Sequence, residues 1–377
     1  MTDNGNDHST MLRDSVADFC RDPDLARVRA LAQNHAEFES GQWQQLADMG
    51  WLSILVPEAA GGLGLGLSEA AIVAEGLGRA LTPEPYTAVA VLSASLLMDC
   101  LSSPLAGTLL GGVASGECVA VAALQEAAGD FEARTVNATA QSFEGGYRLN
   151  GQKQFVIGAS GASGFIVQAL LNGAAALFWV PAGTAGCETG FTPLADGRRF
   201  GSVSLADVSI PADHLLADGP SVRAIIGKAV DHAAAIASAE LVGLLKRTQE
   251  MSLEYMKTRV QFGKAIGSFQ VLQHRAVDLY IQQELADAVL REGIAALDAG
   301  LDEDARAATV SRIKARCAEA ALQITRAAIQ FHGAIGFTED CDVGLYVKRA
   351  MTLSAWLGNP RAHRQRYAAA ANRQEAA

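Results

Sequence analysis

Aromatic residues are scarce: they make up 6% of the 377 residues. The apolar volume therefore falls to Ala, Leu, Val and Ile, and alanine-rich stretches favour helix. Charged residues are also few, at 19%, while hydrophobic residues reach 50%; a chain so composed buries a core and is not disordered. No CxxC pair occurs among Cys20, Cys100, Cys118, Cys187, Cys317 and Cys341. Scattered thiols in a chain of this length read as buried residues in a reducing cytoplasm, not as disulfides. The seven histidines show no metal-ligand spacing, so no metal is expected. The absence of GxxxxGK[ST], HExxH and GxSxG excludes the P-loop, zincin and nucleophile-elbow chemistries. Basic charge is short as well: 30 Lys and Arg against 41 Asp and Glu leave −11. That balance argues against nucleic-acid and membrane-surface binding, but it leaves room for a local basic patch and an anionic small molecule.

The first ten residues, MTDNGNDHST, are polar and lack the basic-then-apolar order of a signal peptide. They read as a frayed tail, and the expected location is cytoplasmic. Residues 154–187 carry no charge. Their glycines, Pro181, Gln168 and Asn172 make them strands and turns and not a membrane span.

Length predicts two or three units, and the periodicity divides the chain in three. Residues 1–117 read as helices and loops, with an amphipathic stretch through Phe38, Trp43, Leu46 and Met49 and a new helix near Ser68. Residues 118–212 switch to a period of two. CVAVAAL (118–124), FEARTVNATA (131–140) and FGSVSLADVSI (200–210) read as strands, and Asn150-Gly151 and Asn172-Gly173 as hairpin turns. Short strands without intervening helices indicate a small antiparallel barrel or sandwich. Residues 213–377 return to helix: long helices over about 222–258, 270–297, 305–331 and 342–357 predict a four-helix bundle. The fold class is mainly α with a central β domain.

GGLGLGL (61–67) mimics a dinucleotide fingerprint but has Leu67 where GxGxxG needs glycine, and it lacks the strand–turn–helix frame. Two other segments carry chemistry. RVQFGKAIGSFQ (259–270) joins one helix to the next and offers the planar donor fork of Arg259 and the amide of Gln270. IQFHGAIGFTED (329–340) ends a helix at Gly333, where backbone amides can approach a ligand. Each alone also reads as a helix terminus.

Together these segments resemble the acyl-CoA dehydrogenase family, with its Arg-x-x-Phe-Gly then Phe-Gln segment and its later Gln-x-x-Gly-Gly-x-Gly-Phe segment. GWLSILVPEAAGGLGLGLSEA (50–70), NGQKQFVIGAS (150–160) and the α–β–α order extend the resemblance over nearly the whole chain. It implies a tetramer holding FAD between subunits, an acyl-CoA substrate, and electron-transfer flavoprotein or a similar acceptor. It places Arg259, Phe262, Gln270, Gln330, Gly333 and Ala334 on the FAD of a neighbouring subunit; Ala334 stands where a second glycine is usual. It places Leu124, Gln125, Phe155 and Ile157 beside the flavin ring of the same subunit. That side departs from the family: Gln125-Glu126-Ala127-Ala128-Gly129-Asp130 replaces Thr-Glu-Pro-x-x-Gly-Ser-Asp, and Phe155 and Ile157 replace a tryptophan and a threonine.

The family's reaction needs a carboxylate to take the α-proton. The resemblance puts that glutamate at Leu357, before Gly358, or at Ala233. Neither side chain accepts a proton. Two carboxylates nearby remain as candidates for the base: Asp231, which lies about 200° around the helix from Ala233 and reads equally as a helix cap, and Glu240, which shares the face of Ala233 but sits about 10 Å along the axis and reads as an ion-pair partner. Three functions follow: a partner subunit lending FAD contacts to a catalytic paralogue in a heteromer, as known in the family for bulky steroid-type acyl groups; a self-sufficient dehydrogenase with an unplaced base; or another flavoenzyme, an oxidase or monooxygenase.

Overall fold

The computed structural model describes residues 4–34 and 38–375, with side chains left aside at 4–8 and 374–375. In chain order it contains α1 (Asn4–Phe19), α2 (Leu25–Gln33), α3 (Ser40–Asp48), α4 (Leu67–Ala80), a π-helical turn (Thr87–Ser93) running into α5 (Ala94–Met98), and α6 (Pro104–Ser115). Eight strands follow: β1 (Ala120–Ala123), β2 (Thr139–Phe143), β3 (Gly146–Val156), β4 (Gly164–Leu171), β5 (Ala174–Pro181), β6 (Cys187–Pro193), β7 (Arg199–Pro211) and β8 (Leu215–Asp218). The long α7 (Val222–Thr258) leads through the small hairpin β9 (Val260–Gln261) and β10 (Lys264–Ala265) to α8 (Gln270–Asp298), α9 (Glu303–His332), α10 (Val343–Ala355) and α11 (Pro360–Glu375). No helix among the described residues is long and apolar enough to cross a membrane.

Contacts gather the chain into two compact units. One is Met1–Val28, Leu67–Thr82 and Ala234–Ala377; the other is Arg29–Gly66 and Pro83–Ala233. The tail reading of the first ten residues is corrected, because α1 already begins at Asn4; residues 1–3 lie outside the described residues.

In the helical unit, α4 packs on α7 backbone to backbone. A Cβ added at Gly78 would lie 2.1 Å from the Glu240 carbonyl oxygen, and one at Gly243 would lie 1.8 Å from that of Glu75. Lys246 then bridges Glu75 and Asp287 at 2.7 and 2.8 Å, tying α4, α7 and α8 together. The bundle has a fifth helix that the sequence reading did not separate, α11. Its start carries a recognisable signal: Pro360 occupies the first turn and Asn359 Oδ1 accepts from the Ala362 N–H at 3.0 Å.

In the other unit the strands run β6-β7-β3-β2-β4-β5-β8, with β1 beside β4. The expected antiparallel barrel or sandwich is corrected here: β1 and β2 each pair with β4 in parallel, and the sheet does not close. Periodicity reports burial and not strand direction, so it could not show this. The Asn172-Gly173 hairpin forms, with φ of 52° and 83° at its two residues. The Asn150-Gly151 hairpin does not. Both residues lie inside β3, the turn falls at Glu144-Gly145, and Gly151 (φ 144°) marks a bulge against β7. Asn150 spends its side chain across that bulge: Nδ2 donates to Asp207 Oδ1 and Oδ1 accepts from the Asp207 N–H. Residues 131–138 are likewise loop, with strand beginning only at Thr139. Carboxylates satisfy their amides instead of a ladder: Asp130 takes the N–H of Arg134 and Thr135, and Glu126 those of Asn137 and Ala138.

Candidate functional site

The two glycine-containing segments meet at one end of the helical bundle. Tyr255, near the end of α7, stacks on His332 at the end of α9, with ring centroids 4.3 Å apart, and its hydroxyl donates to the His332 carbonyl. The Arg275 guanidinium, on the second turn of α8, sits 5.7 Å from the Phe331 ring centroid. These contacts put Arg259 four residues beyond Tyr255, Gln270 at the head of α8, and Gly333 one residue beyond His332 in one neighbourhood. The hairpin β9–β10 holds Phe262 out at its tip with φ 52°, and Phe262 is 91% exposed. Arg259, Gln270, Gln330 and Ala334 are all exposed. Arg259 makes no ion pair among the described residues. Gly333 has φ 66°, and a Cβ there would meet nothing within 4 Å. This end of the bundle therefore presents a guanidinium, two amides and open backbone outward. Its apolar surroundings are just as open, with Phe337 at 83%, Val271 at 71% and Val260 at 57% exposure.

In the β-containing unit, Leu124 follows β1 and is buried, and Ile157 follows β3 and is buried. Phe155, at φ 59°, sets its ring edge-on to Phe200 at 5.6 Å. Gln125 turns its amide into its own loop: Nε2 donates to the Ala127 carbonyl at 2.8 Å, while its own carbonyl accepts the Gln154 N–H. The loop is anchored by Glu126, whose carboxylate meets the fully buried Lys153 ammonium and three N–H groups. Burial raises the Glu126 pKa, but these donors outweigh it and leave the carboxyl below the usual range. Burial likewise holds the Lys153 pKa below the ordinary lysine value against the pull of Glu126. Glu126 thus serves as the fastener of this loop.

The two positions expected to carry a proton acceptor are apolar and buried. Ala233 is 0% and Leu357 8% exposed. Asp231 is not a helix cap: α7 begins at Val222, so Asp231 lies nine residues inside the helix and is buried. Glu240 is engaged by Arg349 at 3.1 Å.

Leu357 sits on a built turn that the sequence reading did not foresee. It follows α10 with φ 56°, ahead of Gly358 at φ 96°, in the left-handed region that costs a branched side chain energy. His363 holds it there. Its Nε2–H donates to the Leu357 carbonyl at 2.8 Å, and its Nδ1 faces Ser311 Oγ at 3.3 Å, which fixes the tautomer. Lys314, also fully buried, donates to the Leu353 carbonyl at the other end of the turn. Burial is the main cause holding the His363 imidazole down to about 3 and the Lys314 ammonium down to about 7. The His363 pKa is depressed below the ordinary 6.5, so the unfolded chain takes up a proton that the folded chain refuses. This contribution is complete above pH 6.5 and is lost as pH falls toward 3, with a slope of at most about 1.4 kcal/mol per pH unit. Melting temperature should therefore fall on acidification from pH 7 to 4, and His363→Gln should flatten that dependence. An unchanged slope in the variant would remove His363 from the acid response.

The chain compares closely with known proteins. The family profile described as acyl-CoA dehydrogenase, N-terminal domain, matches residues 6–117, and the one described as acyl-CoA dehydrogenase, C-terminal domain, matches residues 223–371. "Acyl-CoA dehydrogenase IpdE2" of Mycolicibacterium smegmatis is 30% identical over 93% of this chain and 94% of its own length. Among solved structures, the ChsE4-ChsE5 complex from Mycobacterium tuberculosis contains a chain 27% identical to this one, with TM-score 0.84, covering 97% of this chain and 96% of that one. "PigA with FAD and proline" is 26% identical, with TM-score 0.84 and 96% coverage of both chains. The chain belongs to the acyl-CoA dehydrogenase family.

Proposed function

We propose that this chain is the partner subunit of a heteromeric, FAD-dependent acyl-CoA dehydrogenase, lending FAD contacts to a catalytic paralogue and completing no active site of its own. One observation carries the reading: Arg259, Phe262, Gln270 and Gln330 of the neighbour-facing segments are all kept and exposed, while Leu357 and Ala233 occupy both positions where the family keeps its base.

The residues fit the cofactor unevenly, and the unevenness supports the same reading. Arg259, Gln270, Gln330 and the open backbone at Gly333 would hold the adenosine and phosphate side of an FAD belonging to the neighbour. The guanidinium fork suits a phosphate, and the exposed amides suit a polar ring. On the ring side, Gln125 is occupied within its own loop and Ile157 has no hydroxyl to donate; Leu124 and Phe155 supply apolar contact only. FAD supplies, when bound, the acceptor for the β-hydride of an acyl thioester. The proton must leave to a carboxylate, and in this reading the paralogue provides it. Electron-transfer flavoprotein or a similar acceptor then takes the electrons. The complex of ChsE4 with ChsE5 is a precedent for two-chain assembly, and PigA for FAD on this fold. The open face of α8, with Val271, Val277, Tyr280, Ile281 and Leu285 between 48% and 71% exposed, suits burial against another subunit.

The test separates flavin binding from helix ending. Arg259→Leu combined with Gln270→Ala should lower flavin occupancy of the purified complex severalfold with its melting temperature unchanged. Normal flavin content in the folded double variant would defeat the assignment of these residues.

A further inference from the structure

Helix α8 has two apolar faces, and one of them is open. Its inner face is committed to the bundle: Ala276, Leu279, Ala286, Leu290, Ile294 and Leu297 are buried. On the opposite side Val277, Ile281, Leu285 and Ala288 recur at intervals of four, four and three residues, which sets them in one stripe over about three turns. The three large ones are between 48% and 57% exposed, and Ala288 is exposed as well. Single exposed apolar residues are ordinary on a protein surface. Four in line on one helix mark a contact, and this spacing is the one by which helices pack into one another.

The ends of the stripe say what covers it. His274 lies one turn before Val277, and Glu292 one turn after Ala288; both are exposed. Glu292 is shared with Arg312 at 3.0 Å and has further lone pairs to offer. The stripe is therefore a donor at one end, an acceptor at the other, and apolar between. Its order is self-complementary when reversed. His274 and Glu292 are equidistant from residue 283, as are Ile281 and Leu285, and Val277 and Ala288 nearly so. A second α8 running antiparallel about a two-fold axis at that point sets Ile281 on Leu285 and Val277 near Ala288. It sets His274 on Glu292 at both ends. A parallel neighbour would instead place Glu292 on Glu292, like charge on like.

We propose that α8 joins this chain to a second copy of itself, antiparallel about a two-fold axis near residue 283. The place of this seam in a two-plus-two assembly rests on the subunit reading above: it lies between the two copies of this chain, and each paralogue is held at the Arg259 end. The seam itself needs only the two copies.

Native mass spectrometry of the purified full-length assembly, with a flavin count, tests this. Ile281→Glu, an exposed change that does not threaten the fold, should halve the mass and leave flavin content unchanged, so that a two-plus-two tetramer yields one-plus-one pairs. An unchanged mass would overturn the proposal. So would release of this chain from its paralogue, which would assign the face to the contact between unlike chains. His274→Glu should weaken the association of the halves about tenfold, because it sets two carboxylates together and the contact occurs twice. Adding Glu292→Lys should restore it, since only an antiparallel second copy brings those two positions together. A double variant as weak as the single one would overturn the antiparallel pairing. The two readings fail separately. An assembly of this chain alone would refute the subunit role, and Ile281→Glu should still halve it. A tetramer that survives Ile281→Glu but loses flavin in the Arg259 and Gln270 double variant would retain the subunit role and refute this seam.

Discussion

Expressed alone, this chain should not oxidise an acyl-CoA at an enzyme-like rate. Proton abstraction by a positioned base contributes roughly 10²–10⁴-fold, and the deficit should appear in a dye-reduction assay with any acyl group. The reason is local. Leu357 holds the left-handed geometry of its turn, and its carbonyl is fastened by His363, but its side chain ends in methyl groups. Ala233 is fully buried and offers less. Glu240 is not poised as a substitute, since its carboxylate is committed to Arg349. Co-expression with a glutamate-bearing paralogue should restore turnover. Replacing the paralogue's glutamate by glutamine should abolish it, while Leu357→Met in this chain should change it by less than about twofold. Turnover by the isolated chain at a rate matching the complex would send the search for a base back to Asp231.

The second large effect is on stability. Arg349 is 2% exposed and binds Glu240 Oε1 at 3.1 Å and the Thr82 carbonyl at 3.0 Å, with Leu81 O at 3.4 Å. One guanidinium thus joins α10, α7 and the end of α4. Leu81 has φ 53°, so its carbonyl belongs to a strained helix terminus that needs a donor. Arg349→Met keeps much of the volume but leaves a buried carboxylate and those carbonyls without it. Removing one partner of a buried pair costs about 3–5 kcal/mol. The expected result is a melting temperature lower by many degrees, read by calorimetry, while Arg349→Met combined with Glu240→Gln recovers part of the loss. A single variant as stable as wild type would show that the pair adds no net stability.

Much of the fold was legible because its signals are local. The helices of the bundle show as long periodic runs, and Asn172-Gly173 turns as its residue types require. At two places a side chain settles what the backbone pattern leaves open. Asn150-Gly151 looked like a turn, but Asn150 pairs with Asp207 across a bulge. Residues 131–138 alternate like a strand, but Asp130 and Glu126 take their amides. Parallel pairing of β1 and β2 with β4 leaves no trace in periodicity. At the candidate site, the motif residues were readable from spacing. Their convergence through Tyr255 and His332 was not, nor was the turn held by His363 and Lys314, because those contacts join residues far apart in sequence.

The most direct test of the partner-subunit account is native mass spectrometry with a flavin count, on this chain alone and with a glutamate-bearing paralogue. The account predicts that the isolated chain is poorly soluble or nearly colourless, and that the co-expressed pair forms a two-plus-two tetramer carrying fewer than four flavins and active on acyl-CoA. A stable homo-oligomer of this chain with one FAD per subunit and rapid acyl-CoA turnover would contradict it.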